Sequence, residues 1–407
     1  MDLLYCILIA VCSLGVKANV NTYVRTFEQP EERISTLKTV CYYPMSNAIN
    51  TTTKDPIPEG FNSTLCSHVI FIPTIIDRNN QIQPATPSHA VLFQRAIPVI
   101  RQQNPELIIM VSNGGHFDPV MESMKNISQF VQSAVVLLRK YNFDGLDLDW
   151  EFPGWPITEK PKGQIHNFSI VLTELRKSFE MEAVQTNRTR LLLSAAVAAT
   201  KEMAEKIYEM DYLKKALDFV NMMGYDYNGW GLLSPLTAYN SPLFPGSLIS
   251  CLTVCSIKYA FNTNNLAWSA THWGSWIGKD KLMVGIPFYC HAFKLLTPLM
   301  HGYHAIATGR GECDMAAYLC ACDALKKKNA TRVFDNAAKV PYLYYGDQWV
   351  SYDDVQSTTI KAKWIKENGF GGLMTWNMKS DDYEGVCDGK TKYPLMNAVL
   401  RTIHNQI

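Results

Sequence analysis

The residues best suited to chemistry are three carboxylates at alternate positions, Asp147, Asp149 and Glu151, inside an apolar segment of high β propensity. Side chains of a strand alternate between its faces, so these acids share one face and apolar residues share the other. Burying ionised groups is costly, and each acid disfavours ionisation of its neighbours. A solvated edge strand is the alternative, but its opposite face would be bulky, and Pro153-Gly154 ends the strand abruptly. The pattern favours an acid catalyst tuned by the acids beneath it.

The full spacing, with Asp144 at its start and Glu151 at its end, resembles the signature of glycoside hydrolase family 18, the chitinases and chitinase-like lectins. The resemblance implies that Glu151 protonates the glycosidic oxygen and that the substrate's own N-acetyl oxygen attacks the anomeric carbon, as in substrate-assisted glycosidases. Asp149 would orient the acetamido N–H. Asp147 would hold a proton shared with Asp149, so that the pair titrates as a unit. Asp144 has the opposite parity and is expected to be structural.

A second motif of the family is matched where the sixth predicted strand ends, at Met223-Gly224-Tyr225-Asp226. By this resemblance Tyr225 donates its hydroxyl to the acetamido oxygen, Asp226 bonds a sugar hydroxyl and Met223 packs beneath. Plain core filling is an equally good explanation of Met223. The resemblance also makes the Trp376 indole the floor under the distorted sugar, because indole and sugar faces are both apolar; a structural Trp is the alternative.

Further residues at strand ends complete the expected cleft. The glycines that follow the third strand would let the backbone approach a ligand. The expected catalytic residues are Glu151, Asp149, Asp147 and Tyr225. The expected substrate-binding residues are Trp376, Asp226, Met223, Phe152, Tyr289, Tyr42, Gly114, Gly115 and His116. We expect no metal ion and no cofactor, because the histidines are scattered and no pair has the spacing of zinc ligands.

Several positions depart from the family pattern. His116 stands where the family carries a Trp after the two glycines, Ser46 replaces a Trp after the first strand, and Pro73 falls near the usual Phe of the second. The family's Tyr-Gly-Arg after strand seven ends here in His291, which shortens a cationic arm. Each lost aromatic removes about 1–2 kcal/mol of stacking. We therefore expect a chitinase acting on β-1,4-linked N-acetylglucosamine polymers, with a weakly catalytic chitin-binding lectin as the alternative and a signalling relative as a third.

Composition and the N-terminal segment predict a secreted protein. The chain has 407 residues, 47% of them hydrophobic, and a net charge of +1, which argues against disorder and against a nucleic-acid footprint. Residues 3–16 are almost wholly apolar and predict a secretory signal peptide cut near Ala18, with an uncleaved anchor as the alternative. Six glycosylation sequons and eleven cysteines fit an oxidising compartment. We expect a secreted monomer whose partners are chitin or its oligosaccharides, with no membrane attachment.

Alternating strands and helices predict a (β/α)8 TIM barrel formed by residues 36–288 and 350–403. The strands are expected at 39–43, 67–73, 107–112, 143–151, 191–197, 219–225, 282–287 and 372–376. A small α+β insertion after strand seven is expected over 289–349, with a plain surface hairpin as the alternative. Expected disulfides are Cys41–Cys66, Cys387 with Cys320 or Cys322, and Cys251–Cys255, which leaves Cys290 free.

Overall fold

The structure is a computed structural model that describes residues 37–45, 61–115, 117–156, 163–232, 234–246 and 263–405. Eight parallel strands form a closed barrel, and a short ninth strand pairs antiparallel with the second of them. In chain order the first eight strands are β1 (Lys38–Pro44), β2 (His68–Ile76), the short β3 (Ile82–Pro84), β4 (Ile108–Gly114), β5 (Gly145–Asp149), β6 (Leu192–Ala198), β7 (Phe219–Met223) and β8 (Leu282–Pro287). The predicted TIM barrel is confirmed.

A five-stranded antiparallel sheet follows β8 before the chain returns to the barrel. Its strands are β9 (His291–Leu295), β10 (Ala307–Arg310), β11 (Thr331–Asp335), β12 (Val340–Tyr345) and β13 (Gln348–Ser351). The last barrel strand, β14 (Gly372–Trp376), then pairs with both β8 and β1 and closes the barrel. The insertion is thus a sheet with its own apolar cluster around Trp349 and Phe293, and not a plain hairpin.

All but one of the described helices surround the barrel, where each buries an apolar stripe on the outer faces of the strands; the exception, Tyr318–Lys327, packs on the antiparallel sheet. They are α1 (Pro87–Gln103), α2 (Met124–Lys140), α3 (Gln164–Thr186), α4 (Lys201–Lys206), α5 (Met210–Ala216), α6 (Leu266–Ile277), α7 (Tyr318–Lys327), α8 (Val355–Glu367) and α9 (Pro394–Ile403). Local sequence fixes several of the ends. The Thr86 side chain accepts the His89 N–H at the start of α1, and Asp354 and Ser357 form a capping box at α8.

All eight predicted barrel strands are present, and their ends differ by a few residues. β2 continues to Ile76, and β7 stops at Met223 rather than Tyr225. The early end of β7 has a backbone cause, since the Gly224 and Tyr225 N–H groups bond to carbonyls two residues earlier, at 2.9 and 2.7 Å, and so turn the chain out of the extended conformation. The sequence motif Tyr225-Asp226 therefore lies on a loop that follows the strand, at the carboxyl end of the barrel.

The disulfide predictions are partly confirmed. Cys41 pairs with Cys66, and Cys387 pairs with Cys322 rather than Cys320. Cys320 instead pairs with Cys313, a bridge that the sequence did not suggest. Cys290 is free and buried, as expected. The predicted Cys251–Cys255 bridge and the predicted signal peptide lie outside the described residues. No helix within the described ranges has the length and apolar character needed to cross a membrane.

Candidate active site

The acidic strand β5 occupies the barrel so that its carboxylates point inward. Asp147 and Asp149 are buried within the barrel, while Leu146 and Leu148 pack in the outer core between strands and helices. The strand ends at Asp149, and Glu151 follows it at the carboxyl edge of the barrel. The parity argument from the sequence therefore places two of the acids in a column, with the third at its mouth. Asp144 lies on the other side, where its carboxylate accepts the Ile109 N–H at 2.7 Å and pairs with Arg101.

Asp147 is the deepest acid and is completely buried. Its Oδ2 accepts hydrogen bonds from the Tyr42 hydroxyl at 2.7 Å and the Ser112 hydroxyl at 3.0 Å. Its Oδ1 accepts from the Ser194 hydroxyl at 2.6 Å and the Asn221 amide at 3.1 Å. Burial raises the pKa of Asp147, and the four donors oppose that rise. Four donors occupy all the lone-pair sites of a carboxylate, so this group is built to be an anion.

Asp149 is the next acid up the column, and it has fewer hydrogen-bond donors around it than Asp147. Its Oδ1 is buried and finds no hydrogen-bond partner among the described residues. Burial raises the pKa of Asp149 well above its ordinary value, and the charges of Glu151 and Asp147 raise it further. The sequence predicts a proton shared by this pair and held by Asp147. The four donors around Asp147 favour the ionised form there, and the lack of a partner at Asp149 Oδ1 among the described residues favours the proton on Asp149.

Glu151 opens into the cleft, and its side chain is exposed. The surrounding protein still desolvates the carboxyl enough to raise its pKa, and the nearby charge of Asp226 adds to the effect. A raised pKa keeps part of this carboxyl protonated at mildly acidic pH, as a proton donor requires. The cleft that contains it is lined by Ile72, Gly114, Gly115, Asp118, Asp149, Trp150, Glu151 and Trp376. His116 lies outside the described residues.

Tyr225, Tyr289 and Asp226 lie just beyond the ends of β7 and β8, where they form one side of the site. Tyr225 is buried, lies edge-on to Tyr289 at 5.8 Å between ring centres, and directs its hydroxyl toward the Met374 sulfur at 3.9 Å. That weak contact leaves the Tyr225 hydroxyl able to donate to a ligand. Tyr289 donates a short hydrogen bond to Asp226, whose side chain is 53% exposed. Burial raises the pKa of both tyrosines well above its usual range, so both stay protonated.

The floor of the cleft is apolar. Trp376 ends β14 half-buried, with its ring centre 5.3 Å from that of Tyr42. Phe152 and Trp376 both pack against the inner barrel cluster that contains Met223. Met223 is therefore a buried residue of the inner barrel core, and its role in binding a ligand stays a prediction. The arrangement presents an indole face next to a column of acids.

Three of the four partners of Asp147, and the surroundings of His291, were not identified from the sequence. Ser112, Ser194 and Asn221 are polar residues inside otherwise apolar strands, and that contrast could have marked them. His291 lies between two carboxylates, with Nε2 at 2.7 Å from Asp226 and Nδ1 at 2.8 Å from Asp314. The cationic arm predicted to be shortened is thus present as an imidazole in contact with Asp226.

Comparison with known proteins agrees with the geometry. The model of the family described as Glycosyl hydrolases family 18 matches residues 38–381. The chain belongs to glycosyl hydrolase family 18. Family 18 relatives include Chitinase-3-like protein 2 of Homo sapiens, 32% identical over 91% of this chain and 93% of that protein. Chitotriosidase-1 of Mus musculus is 33% identical over 92% of this chain and 78% of that protein.

Solved structures of the family have the same fold. Human YKL-39, described as a pseudo-chitinase with retained chitooligosaccharide binding properties, superposes with a TM-score of 0.78 at 30% identity, covering 90% of this chain and 100% of that one. The Group IV chitinase of Ostrinia furnacalis superposes with a TM-score of 0.79 at 27% identity, over 90% of this chain and 100% of its own. Family 18 proteins similar to this chain therefore include both a chitinase and a pseudo-chitinase.

Proposed function

We propose that the protein is a secreted chitinase that hydrolyses β-1,4-N-acetylglucosamine linkages with retention, using the substrate's acetamido group as the nucleophile. The observation that carries the proposal is the complete acid column, with Asp147 held by four donors at the base, Asp149 with a strongly raised pKa above it and Glu151 at the mouth. Tyr225 has a buried hydroxyl with only a weak sulfur contact, available to a ligand at the same edge.

Each group has a defined task in this reaction. Glu151 donates its proton to the leaving glycosidic oxygen while the acetamido oxygen attacks the anomeric carbon, giving an oxazolinium ion. The Asp149 carboxyl accepts the acetamido N–H, and the anionic Asp147 beneath it stabilises the positive charge that develops on the ring. Tyr225 donates to the attacking acetamido oxygen and holds it in place. Glu151, now ionised, removes a proton from the incoming water, which opens the oxazolinium ring.

A chitin-binding lectin is the second candidate. It is favoured by Ser46 and His116, which stand where the family pattern has Trp, and by Pro73, which falls near the usual Phe. It is also favoured by similarity to a pseudo-chitinase that retains chitooligosaccharide binding. The two candidates differ in turnover and share ligand binding, so a measurement of turnover distinguishes them.

Secretion is part of the proposal. The apolar stretch at residues 3–16 is followed by a domain with disulfides, and the sequon residues Asn62, Asn187 and Asn329 are exposed. Exposed acceptors and disulfides fit a protein that matures in an oxidising compartment.

The experiment compares fluorophore release from a chitotriose glycoside by the native protein and by Glu151→Gln. We expect the substitution to reduce kcat by about 10²–10⁴-fold and to leave chitotetraose binding intact, because it removes the proton donor and preserves the shape. Glu180→Gln, an exposed acid on α3, is the matched control and should behave like the native protein. If the native protein and Glu151→Gln both released fluorophore only at the background rate and both bound chitotetraose, the hydrolase proposal would be wrong and the lectin proposal would be supported.

A further inference from the structure

His291 opens β9, directly beyond the barrel strand β8, and its ring lies between two acids. Its Nε2 is 2.7 Å from Asp226 Oδ1, and its Nδ1 is 2.8 Å from Asp314 Oδ1. The His291 side chain is only 11% exposed, so water does not substitute for either partner. The result is a continuous link of three charged groups from the insertion sheet to the cleft.

The geometry determines the protonation of this histidine. Ionised carboxylate oxygens only accept hydrogen bonds, so both ring nitrogens of His291 must donate, and only the imidazolium has two N–H groups. Burial lowers the pKa of His291, but the bonds to Asp226 and Asp314 outweigh it and raise the pKa to about 9. The other titratable groups at this link are Tyr289, edge-on to the ring at 5.8 Å between ring centres, and Arg310, which lies 3.4 Å from Asp314.

The two acids differ in how firmly they are held. The Asp314 side chain is 9% exposed, its Oδ1 also accepts the Ala292 N–H at 3.0 Å, and its Oδ2 lies 3.4 Å from Arg310. Asp226 is 53% exposed and lies at the cleft, where Tyr289 also donates to it. The link therefore has a fixed end on the insertion and a solvent-facing end at the site.

We infer that Asp314 is a positioning residue that acts through the His291 cation to hold the Asp226 carboxylate at the edge of the cleft. The inference rests on the proposed role of Asp226 in binding a sugar hydroxyl. It gives the insertion a function in ligand binding without any contact to the ligand. It also makes ligand affinity depend on pH, because a neutral imidazole keeps one N–H and releases one of the two acids.

The direction of this dependence follows from the raised pKa of His291. The ring is cationic below about pH 9, so the link is intact at neutral pH, where the carboxylates are ionised, and it is lost as the pH rises through about 9. Removing the charge of Asp314 removes one of the two groups that hold the proton. The transition should then move to lower pH by about 1–3 units, the usual effect of one adjacent opposite charge.

The experiment uses the whole protein with Asp314→Asn and, as a matched control, Asp347→Asn, an acid of the same domain that is 40% exposed and 3.8 Å from Lys294. The first readout is the NMR titration of the His291 ring, assigned by its disappearance in His291→Gln. The second is the pH dependence of chitotetraose affinity, which does not require turnover. We expect Asp314→Asn to lower both transitions together and to weaken neutral-pH binding about tenfold, the effect of losing roughly 1.4 kcal/mol of positioning. Asp347→Asn should change neither.

A further variant tests whether the positive charge at position 291 is what holds Asp226 in place. His291→Arg carries a permanent charge and should bind chitotetraose without the alkaline transition. A His291 titration unaffected by Asp314→Asn would overturn the inference, as would a shifted titration with unchanged affinity. Failure of the proposed hydrolysis would appear as absent fluorophore release with the linked NMR and affinity transitions still present, so the two failures are distinguishable.

Discussion

The environment of Asp147 makes one substitution especially informative, Ser194→Ala. Ser194 is completely buried and donates the shortest of the four hydrogen bonds to Asp147, at 2.6 Å. The change removes one oxygen atom and adds no volume, so the packing of the barrel is preserved. Hydrogen bonds to charged groups contribute about 1.5–3 kcal/mol, and we expect the free energy of unfolding to fall by that amount at neutral pH.

The loss of stability caused by Ser194→Ala should depend on pH. Burial raises the pKa of Asp147 because it disfavours the ionised carboxylate, and the four hydrogen bonds oppose this by stabilising that ionised form. Losing a donor raises that pKa further, so the stability lost by Ser194→Ala grows as the pH rises through the titration of Asp147 and shrinks at acidic pH. The same change draws the shared proton from Asp149 toward Asp147, and kcat should fall although Ser194 faces no substrate.

Urea denaturation at neutral and at mildly acidic pH measures the stability, and fluorophore release measures kcat. The matched control is Ser169→Ala, because Ser169 is equally buried but makes only a 3.4 Å bond to the Ile165 carbonyl of its own helix. We expect this control to lose well under 1 kcal/mol, with no pH dependence, since that bond is weak. If both variants lost the same stability at both pH values, Asp147 would not be the anion described above.

Three further predictions follow from other contacts. Lys361 is completely buried and pairs with Asp353 at 2.6 Å, so Lys361→Met should cost about 3–5 kcal/mol in urea denaturation, while exposed Lys363→Met should cost almost nothing. Tyr225→Phe should lower kcat by at least about tenfold with little loss of stability, because the hydroxyl has only a 3.9 Å contact to sulfur; an unchanged kcat would remove Tyr225 from the mechanism. Trp376→Ala should weaken chitotetraose binding by about 1–2 kcal/mol in calorimetry, and unchanged affinity would show that the indole is not the floor.

The local parts of the site could be predicted from the sequence. The acid column depends only on the alternation of side chains in one strand, and the strand pattern around it was enough to predict the barrel. The same local reasoning placed Asp144 on the opposite face, where it contacts Ile109 and Arg101.

The remaining features depend on distant parts of the chain. Ser112, Ser194 and Asn221 reach Asp147 from three different strands, and their meeting depends on the register of the closed barrel. Asp314 reaches His291 only because the loop after β10 folds back onto β9. No local pattern indicates such a contact. The position of the shared proton likewise depends on the number of donors around Asp147, which the order of residues along β5 does not give.

The central claim is that cleavage is a double displacement in which the substrate's acetamido group attacks first, and not a single direct attack by water. The most direct test is proton NMR of chitotetraose hydrolysis at early times, before the product's anomers interconvert. Attack by the acetamido oxygen followed by water is a double displacement, so the new reducing ends should first appear as the β-anomer. Reducing ends that first appear as the α-anomer would show direct attack by water and would contradict the mechanism.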